Sequence, residues 1–413
     1  MVSIASHCGE ISPERLSTHK GTTNILSAQT QPFGLYIHTP FCLQRCHYCD
    51  FFTMPRVGER DEQFRPFLDA LDSELQSQLS LFASRTLRSI FLGGGTPSLL
   101  KPSELEKIFE AIQKVFSWDD TCEVTLEVNP DTLDLDKARA FRSLGINRIS
   151  MGLQALDEDA LRLLGREHNI EQARYCVDVA REAGFDNINL DMIYGRPKQT
   201  LSGWERELQE LLEWEPEHVS LYELILEPGT PMTRAVRKGE LVLPEEETRL
   251  EMYRLARELM CEGGMQWYEV SNYAKPNRES RHNLDNWRGG EYLGVGPGAH
   301  SFGLLSPWGE RRANPRNLPL YTSQPDAAPW HPREAEDVCK DALLNGLRLR
   351  EGFQHKPFHE TYGLTFSTQT LEKLPSLQES GYLDVEEERW VLTPRGMELL
   401  DAILVYLDPQ PAD

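Results

Sequence analysis

The sequence carries little positive charge. Its 413 residues include 43 lysines and arginines against 65 aspartates and glutamates, which gives a formal net charge of −22. Phosphate recognition needs a basic surface, so this balance argues against a general nucleic-acid-binding protein. The chain also lacks an uninterrupted apolar run of membrane-spanning length, and we therefore expect no transmembrane segment.

The cysteines lack the regular spacing of a secreted disulfide scaffold. This distribution is typical of free thiols in a reducing compartment, and it predicts a cytoplasmic protein. The cysteines that lie singly and far apart are Cys8, Cys122, Cys176, Cys261 and Cys339.

A basic-then-apolar secretory signal is absent as well. Residues 1–32 are rich in serine and threonine without periodicity, and we interpret them as a flexible N-terminal extension. An organelle transit peptide is the weaker alternative, because Arg15 is the only arginine there and Glu10 and Glu14 are acidic.

What the sequence does contain is an alternation of short apolar runs with longer amphipathic stretches. This alternation predicts parallel β–α–β units with right-handed crossovers, in an open sheet or a barrel-like sheet. The predicted strands are 34–38, 88–92, 123–128, 147–154, 187–193 and 218–224. The predicted helices are 61–82, 102–116, 135–144, 170–183 and 201–214.

Polar or otherwise unusual residues stand where each predicted strand ends. The carboxyl ends of parallel strands form the ligand-binding face of α/β folds, so these residues predict one shared site. They comprise three closely spaced cysteines, a glycine run, Glu127, Asn129, Gln154, Asp191, Tyr222 and Glu223.

Three cysteines, Cys42, Cys46 and Cys49, follow the first predicted strand in "TPFCLQRCHYCDFF". Thiolates are the usual ligands of iron–sulfur clusters, and three of them would leave one iron of a cubane open to a small molecule. A zinc site completed by His47 or Asp50 is the alternative, although the spacing favours the cluster.

The glycine run "GGGTPS" (93–98) follows the second predicted strand. Glycines let a backbone approach a ligand closely and present its N–H groups. The run is neither a Walker A loop nor a GxGxxG fingerprint, and by itself it favours only a tight turn. Its place beside the cysteines favours ligand binding.

Longer motifs give a specific resemblance. "YIHTPFCLQRCHYCDFF" resembles the CxxxCxxC signature of the radical S-adenosylmethionine (radical SAM) superfamily. The resemblance to the oxygen-independent coproporphyrinogen oxidase family runs from about Tyr36 to the C-terminus. Its motifs are "FLGGGTPSLL", "LEVNPDTL", "NRISMGLQALDEDALRLLGREHN", "INLDMIYGRPKQT" and "LYELILEPGTP".

This resemblance implies an α/β fold: a partial (β/α)6 radical SAM barrel with a small α+β, winged-helix-like C-terminal domain. We expect the barrel over residues 33–240, an extension of it over 241–328, and the C-terminal domain over 329–413. Winged helices often bind DNA, but the acidic balance of the chain argues against that role here.

The resemblance also implies a [4Fe–4S] cluster held by Cys42, Cys46 and Cys49, with S-adenosylmethionine chelating the fourth iron. Carboxylates and amides suit the ribose hydroxyls of that cofactor, and an arginine suits its carboxylate. The positions that match the family's cofactor contacts are Tyr36, Tyr48, Gly94, Gly95, Thr96, Glu127, Gln154, Arg166 and Asp191.

Two classes within this family come into question: the decarboxylating oxidase, and a heme chaperone that binds heme and delivers it to acceptor proteins. The oxidase pattern has a further cysteine where this chain has Phe51. We therefore expect a heme chaperone, with coproporphyrinogen III oxidase or a related radical enzyme as the alternative. The implied partners are heme, heme-acceptor proteins and an electron donor such as a flavodoxin or a ferredoxin.

The segment "HNLDNW" (282–287) is similar to the heme-associated HNxxYW motif of the chaperone class, with Asn286 in place of the tyrosine. The resemblance implies His282 as an axial heme ligand and Trp287 as a stacking partner. A capping histidine in a solvated loop is the alternative. For His300, shortly afterwards, contact with a ligand is one interpretation, and a hydrogen-bonded structural histidine is the favoured one. The cations that predict a propionate site are Lys275, Arg278, Arg281 and Arg288.

Overall fold

The structure, a computed structural model, describes residues 33–55, 60–82, 85–386 and 388–412. The predicted N-terminal extension and Cys8 lie outside the described residues. The strands are β1 (Phe33–Thr39), β2 (Phe41–Cys42), β3 (Met54–Pro55), β4 (Ser89–Gly94), β5 (Glu123–Val128), β6 (Arg148–Gln154), β7 (Ile188–Tyr194), β8 (His218–Glu223), β9 (Gln266–Glu269), β10 (Asn272–Ala274), β11 (Glu291–Val295), β12 (His300–Gly303), β13 (Glu310–Ala313), β14 (Trp330–Pro332), β15 (Phe353–Gln354), β16 (Leu383–Val385) and β17 (Arg389–Leu392).

One twelve-stranded sheet dominates the fold, and six parallel strands in the order β1-β4-β5-β6-β7-β8 form its centre. Each of these strands lies within about two residues of a predicted one. The α/β partial barrel is therefore confirmed. Because all six strands run in the same direction, their carboxyl ends meet at one face, which we call the barrel mouth.

Amphipathic helices connect the parallel strands and cover the outer face of the sheet. Their apolar side chains, such as Leu75, Leu105 and Phe141, are fully buried against the strands. Side-chain caps start several of them; Thr200, for example, accepts a hydrogen bond from the Gly203 amide. The connecting helices are Arg60–Phe82, Pro102–Gln113, Leu135–Ser143, Glu158–Leu164, Ile170–Glu182 and Leu201–Glu213, with short 3₁₀ turns at Pro97–Leu99 and Pro130–Thr132.

Residues beyond the sixth parallel strand extend the sheet at both edges. At one edge β11 pairs in parallel with β1, and β12, β13 and β14 continue in antiparallel order. At the other edge β10 and β9 follow β8. The helices of this region are Pro231–Arg237, Glu246–Glu262, Arg281–Trp287 and Leu318–Ser323.

The C-terminal domain has its own apolar core and a three-stranded sheet in the order β15-β17-β16. The boundary predicted at residue 329 is a few residues early, because β14 pairs with β13 and belongs to the large sheet. No helix among the described residues is long and apolar enough to cross a membrane. The domain's helices are Ala335–Leu347, His355–Tyr362, Thr368–Leu371, Leu374–Glu379, Pro394–Met397 and Leu400–Leu407.

Candidate functional site

The three closely spaced cysteines lie in a loop at the barrel mouth, directly after β1. This loop is fastened to its surroundings by backbone hydrogen bonds. The His47 amide donates to the Leu164 carbonyl at 2.9 Å, and the Met54 amide donates to the Pro40 carbonyl at 2.7 Å. The loop therefore has a defined position above the sheet.

The three thiols are partly buried. Thr96 Oγ1 lies 3.6 Å from the Cys42 sulfur, and Arg166 Nη1 lies 3.4 Å from the Cys46 sulfur, both as donors. Burial raises the pKa of Cys42 to about 11 and also raises the pKa of Cys49. The free Cys42 thiol therefore keeps its proton at neutral pH, and metal binding would displace that proton.

Both candidate fourth ligands of the zinc alternative are engaged with another group. His47 Nδ1 donates to the Leu163 carbonyl at 2.9 Å, and the Asp50 carboxylate pairs with Arg316 at 3.3 Å. Within the described ranges, no group of three or more His, Cys, Asp or Glu side chains is arranged to hold a metal ion. A cubane cluster spreads its ligands more widely than a single ion does, so the thiols suit the cluster better.

Two backbone amides of the glycine run are hydrogen-bonded to the segment that leads into the cysteine loop. The Gly95 amide donates to the Thr39 carbonyl at 2.7 Å, and the Thr96 amide donates to the Phe41 carbonyl at 2.8 Å. A side chain at Gly95 would place its Cβ 2.6 Å from the Phe41 carbonyl oxygen, so only glycine allows this approach. The expectation that this run presents free N–H groups to a ligand is therefore wrong for these two amides.

Two partly buried carboxyls, Glu127 and Asp191, lie toward the carboxyl ends of the parallel strands β5 and β7. Glu127 Oε2 accepts a hydrogen bond from the Gly94 amide at 2.9 Å. Burial, followed by the charge of Asp191, raises the pKa of Glu127 to about 8. Burial also raises the pKa of Asp191, which accepts from Asn189 at 2.8 Å. Carboxyls whose pKa values are raised by burial suit a ligand bringing positive charge or hydroxyl groups.

Arg166 and Gln154 complete this part of the mouth. Arg166 Nη2 donates to the Asn129 side chain and to the Gly152 carbonyl, each at 2.7 Å. Gln154 adopts a positive φ of 72° at a register shift between β6 and β7. Such a bulge changes the direction of a side chain at a strand end, and non-glycine residues in this region often mark functional sites.

Two tyrosines, Tyr36 and Tyr48, lie near these groups. Burial raises the pKa of Tyr48, which lies near Arg166 and Cys46. Burial likewise raises the pKa of Tyr36, and the charge of Glu127 adds to the effect. Both phenols therefore stay neutral and can only act as hydrogen-bonding groups.

His38 is a functional candidate that sequence reasoning missed. Its Nε2 lies 2.8 Å from the Phe52 carbonyl, which can only accept, so Nε2 carries the proton. Nδ1 then accepts from the Tyr36 hydroxyl at 3.0 Å. The signal in the sequence was the two-residue spacing from Tyr36, which places both side chains on the same face of β1.

Comparisons with known proteins agree with this geometry. The sequence matches the Radical SAM superfamily over residues 36–211 and the HemN C-terminal domain over residues 334–399. The heme chaperone HemW of Bacillus subtilis is 34% identical over 367 residues, which cover 87% of this chain and 95% of that protein. The chain belongs to the HemN/HemW family of radical SAM proteins.

Other members of the family confirm the extent of the likeness. "Radical S-adenosyl methionine domain-containing protein 1, mitochondrial" of Danio rerio is 34% identical over 389 residues, covering 90% of this chain and 86% of that one. Coproporphyrinogen III oxidase (HemN) from Escherichia coli superposes with a TM-score of 0.78 at 26% identity, covering 94% and 93% of the two chains. Membership of the radical SAM superfamily brings a [4Fe–4S] cluster and S-adenosylmethionine as cofactors.

His282 lies at the opposite end of the barrel from the cysteines. The helix Arg281–Trp287, which we call the floor helix, closes the amino ends of β1, β4 and β5. The Glu123 carboxylate accepts the His282 backbone amide at 3.1 Å. The motif therefore forms a helix, whereas the sequence suggested a loop.

The His282 ring is only 5% exposed. Its Nδ1 hydrogen-bonds Ser89 Oγ at 2.9 Å, and its ring centroid lies 5.2 Å from that of Phe91. Burial lowers the pKa of His282 to about 4. This neutral, packed ring favours a structural role in the structure as it stands.

Trp287 fastens the barrel to the C-terminal domain. The Arg348 guanidinium carbon lies 3.9 Å from the Trp287 ring centroid, and Arg348 also pairs with buried Glu269 at 2.9 Å. Cation–π stacking and the ion pair together hold this contact. The arrangement leaves that ring face covered by Arg348 rather than open to a macrocycle.

The cations near the floor helix already have partners. Each is engaged with an acidic side chain or a carbonyl of another segment, so the local excess of positive charge predicted for propionates is largely neutralised. The contacts are Lys275 with Glu217, Arg278 with Asp186, Arg281 with the Thr121 carbonyl, and Arg288 with Glu351.

Proposed function

We propose that this protein is a heme chaperone that uses a [4Fe–4S] cluster and S-adenosylmethionine, binds heme and transfers it to acceptor proteins. The observation that carries the proposal is Phe51, 67% exposed beside the cysteine loop, where the oxidase pattern has a further cysteine. Similarity to HemW proteins over most of the chain supports it, including the Haemophilus influenzae protein at 33% identity over 382 residues.

In this proposal, Cys42, Cys46 and Cys49 ligate three irons of the cluster. Thr96 and Arg166 donate hydrogen bonds to the sulfurs and so stabilise thiolate charge. The groups that hold S-adenosylmethionine are the remaining mouth residues: Tyr36, Tyr48, Gly94, Gly95, Glu127, Gln154 and Asp191. When bound, this pair of cofactors supplies reductive radical chemistry.

Coproporphyrinogen III oxidase activity is the second candidate function. The structural likeness to HemN over 94% of this chain favours it, and the cofactor-binding residues of the mouth are all present. The missing fourth cysteine weighs against it. A radical enzyme with another substrate shares the same support.

The proposed partners follow from the function. Heme is the cargo, heme-acceptor proteins receive it, and a flavodoxin or a ferredoxin would reduce the cluster. We also propose a cytoplasmic location, supported by the pattern of single free cysteines. Cell fractionation with an antibody against the C-terminal domain would test that location.

Anaerobic heme titration and coproporphyrinogen III turnover on one reconstituted preparation test the function. We expect saturable binding of one heme and transfer of that heme to an apo-hemoprotein. We expect porphyrinogen conversion no faster than in a cluster-free Cys46→Ala control. Rapid conversion that depends on Cys46 would establish the oxidase instead, and absence of heme binding would refute the chaperone.

A further inference from the structure

Arg148 is a buried arginine whose side chain lies on the inner face of the barrel. It stands on β6 in register with Thr125 on β5, which is in register with Phe91 on β4 and, through it, with Tyr36 on β1. Residues in register project to the same face of a sheet. The next residue, Ile149, is apolar and fully buried, so the helix-covered face is the opposite one.

The Arg148 side chain has no partner for its charge. The residue is only 2% exposed, and its Nε is buried without a hydrogen bond. No hydrogen bond or ion pair joins the guanidinium to any residue that the structure describes. The hydroxyl of Thr125, directly beside it in the sheet, is also buried without a partner. Two neighbouring polar side chains of the inner face therefore lack the hydrogen bonds that buried polar groups normally make.

Two acidic side chains near Arg148 do not neutralise its charge. Glu127 and Asp191 feel that charge through space, but their carboxyls accept hydrogen bonds from the Gly94 amide and from Asn189 instead. Burial raises the pKa of Glu127 to about 8, so this carboxyl is largely neutral at physiological pH. A buried charge without a partner costs free energy, and a ligand that brings a carboxylate would remove that cost.

Aromatic rings lie beside the two polar groups. Tyr36 and Phe91 belong to the same row of residues, and their ring centroids are 6.1 Å apart. The His282 ring of the floor helix lies 5.2 Å from that of Phe91. Both Tyr36 and Phe91 are only partly buried, so a ligand inside the barrel can reach them. This combination of aromatic surface and unpaired cation suits a planar molecule that carries a carboxylate.

Heme has a planar macrocycle and two propionate carboxylates. Arginine forms bidentate hydrogen bonds with a carboxylate, and a threonine hydroxyl can donate one more. We propose that Arg148 and Thr125 bind a heme propionate inside the barrel, with the macrocycle against the neighbouring aromatic rings. This inference rests on the proposed chaperone function and names two residues that hold its cargo.

Titrations with hemin and with hemin dimethyl ester, whose propionates are blocked, test the assignment on the full, anaerobically reconstituted chain. We expect the wild type to bind hemin at least about tenfold more tightly than the ester. Arg148→Met should weaken hemin binding by a similar factor and leave the affinity for the ester unchanged, because only the carboxylate contact is lost. Arg148→Lys, which keeps the charge, should retain part of the difference, and Thr125→Val should cause a smaller loss.

A stability measurement separates this role from a structural one. Because the charge of Arg148 is unpaired, Arg148→Met should leave the midpoint of urea unfolding unchanged or raise it. Arg312→Met is the matched control: Arg312 is just as deeply buried but pairs with Glu74 at 2.6 Å, so its loss should lower the midpoint. If Arg148→Met bound hemin as the wild type does, or lost hemin and ester equally, the assignment would be overturned and the chaperone function would stand. A wild-type protein that binds no hemin would refute both proposals.

Discussion

The barrel mouth and the barrel floor are built from the same strands but use polar residues in different ways. On the floor, several buried polar groups bond one another: His218 bonds Asn189 at 2.6 Å and Tyr268 at 2.7 Å, and Ser89 bonds His282. At the mouth, Glu127 and Asp191 remain partly uncompensated, and burial raises both of their pKa values.

The extent to which a buried polar group is hydrogen-bonded therefore distinguishes residues that stabilise the fold from residues that would bind a ligand. A buried group with its partners in place contributes to stability, whereas a buried carboxyl that holds its proton lowers stability whenever it must ionise. The comparison teaches that a functional motif can belong to either kind. His282 of the HNLDNW segment is hydrogen-bonded within the floor, although the Trp287 indole nitrogen has no hydrogen-bond partner among the described residues. His38, which sequence reasoning missed, belongs to the mouth.

Removing a cluster ligand at the mouth should have the largest effect. In Cys46→Ala we expect iron and acid-labile sulfide to fall to background after anaerobic reconstitution, because two thiols cannot hold the cubane. Cys261→Ala, which removes an exposed single thiol, is the control. Unchanged iron and sulfide contents in Cys46→Ala would show that Cys46 is not a cluster ligand and that the mouth does not hold the cluster as proposed.

A floor substitution should instead affect stability. We expect His282→Ala to lower the free energy of unfolding by about 2–4 kcal/mol, since it leaves a cavity and an unpaired Ser89 hydroxyl. Urea denaturation with His359→Ala as the control measures it. If His282→Ala kept wild-type stability but no longer bound hemin, His282 would be a heme ligand and not a structural residue.

The floor substitution also has a pH signature. The folded pKa of His282 is about 4, below that of an unfolded histidine at about 6.5. The unfolded state therefore binds the extra proton first, and the wild type loses stability as the pH falls between these two values. The free energy of unfolding of His282→Ala should fall less than that of the wild type between these two pH values.

A mouth substitution should change the pH dependence of cofactor binding, which is the smallest of the expected effects. Wild-type affinity for S-adenosylmethionine should rise with pH up to about 8, because a cationic ligand favours ionised Glu127 and the free carboxyl holds a proton below that value. Glu127→Gln should flatten this profile. Calorimetry below and above pH 8 measures the affinity for S-adenosylmethionine of the wild type and of Glu127→Gln. Asp131→Asn, on the turn Pro130–Thr132, is the control.

The apolar periodicity of the sequence was sufficient to predict the six parallel strands and most of the helices that connect them. Period-two and period-3.6 apolar patterns are local, and each strand is buried on at least one face. The edge strands β9 to β14 were missed because they are only three to five residues long, too short for a clear periodic pattern. The parallel pairing of β11 with β1, more than two hundred residues away, is also invisible to local patterns. The helix Glu158–Leu164 was missed because it is only two turns long.

By itself, the sequence determined the cysteine spacing, the order of strand and helix, and the set of polar residues at the strand ends, since all three are local patterns. Only the tertiary structure decided where HNLDNW and His300 lie. Both follow the sixth strand at similar sequence distances, yet one segment turns into a helix beneath the amino ends and the other into a strand beside β1. Register between strands, which no local pattern encodes, placed His300 in line with Tyr36 across β11, whereas the floor helix brings the His282 ring within 6.5 Å of the Tyr36 ring from the amino ends of the strands.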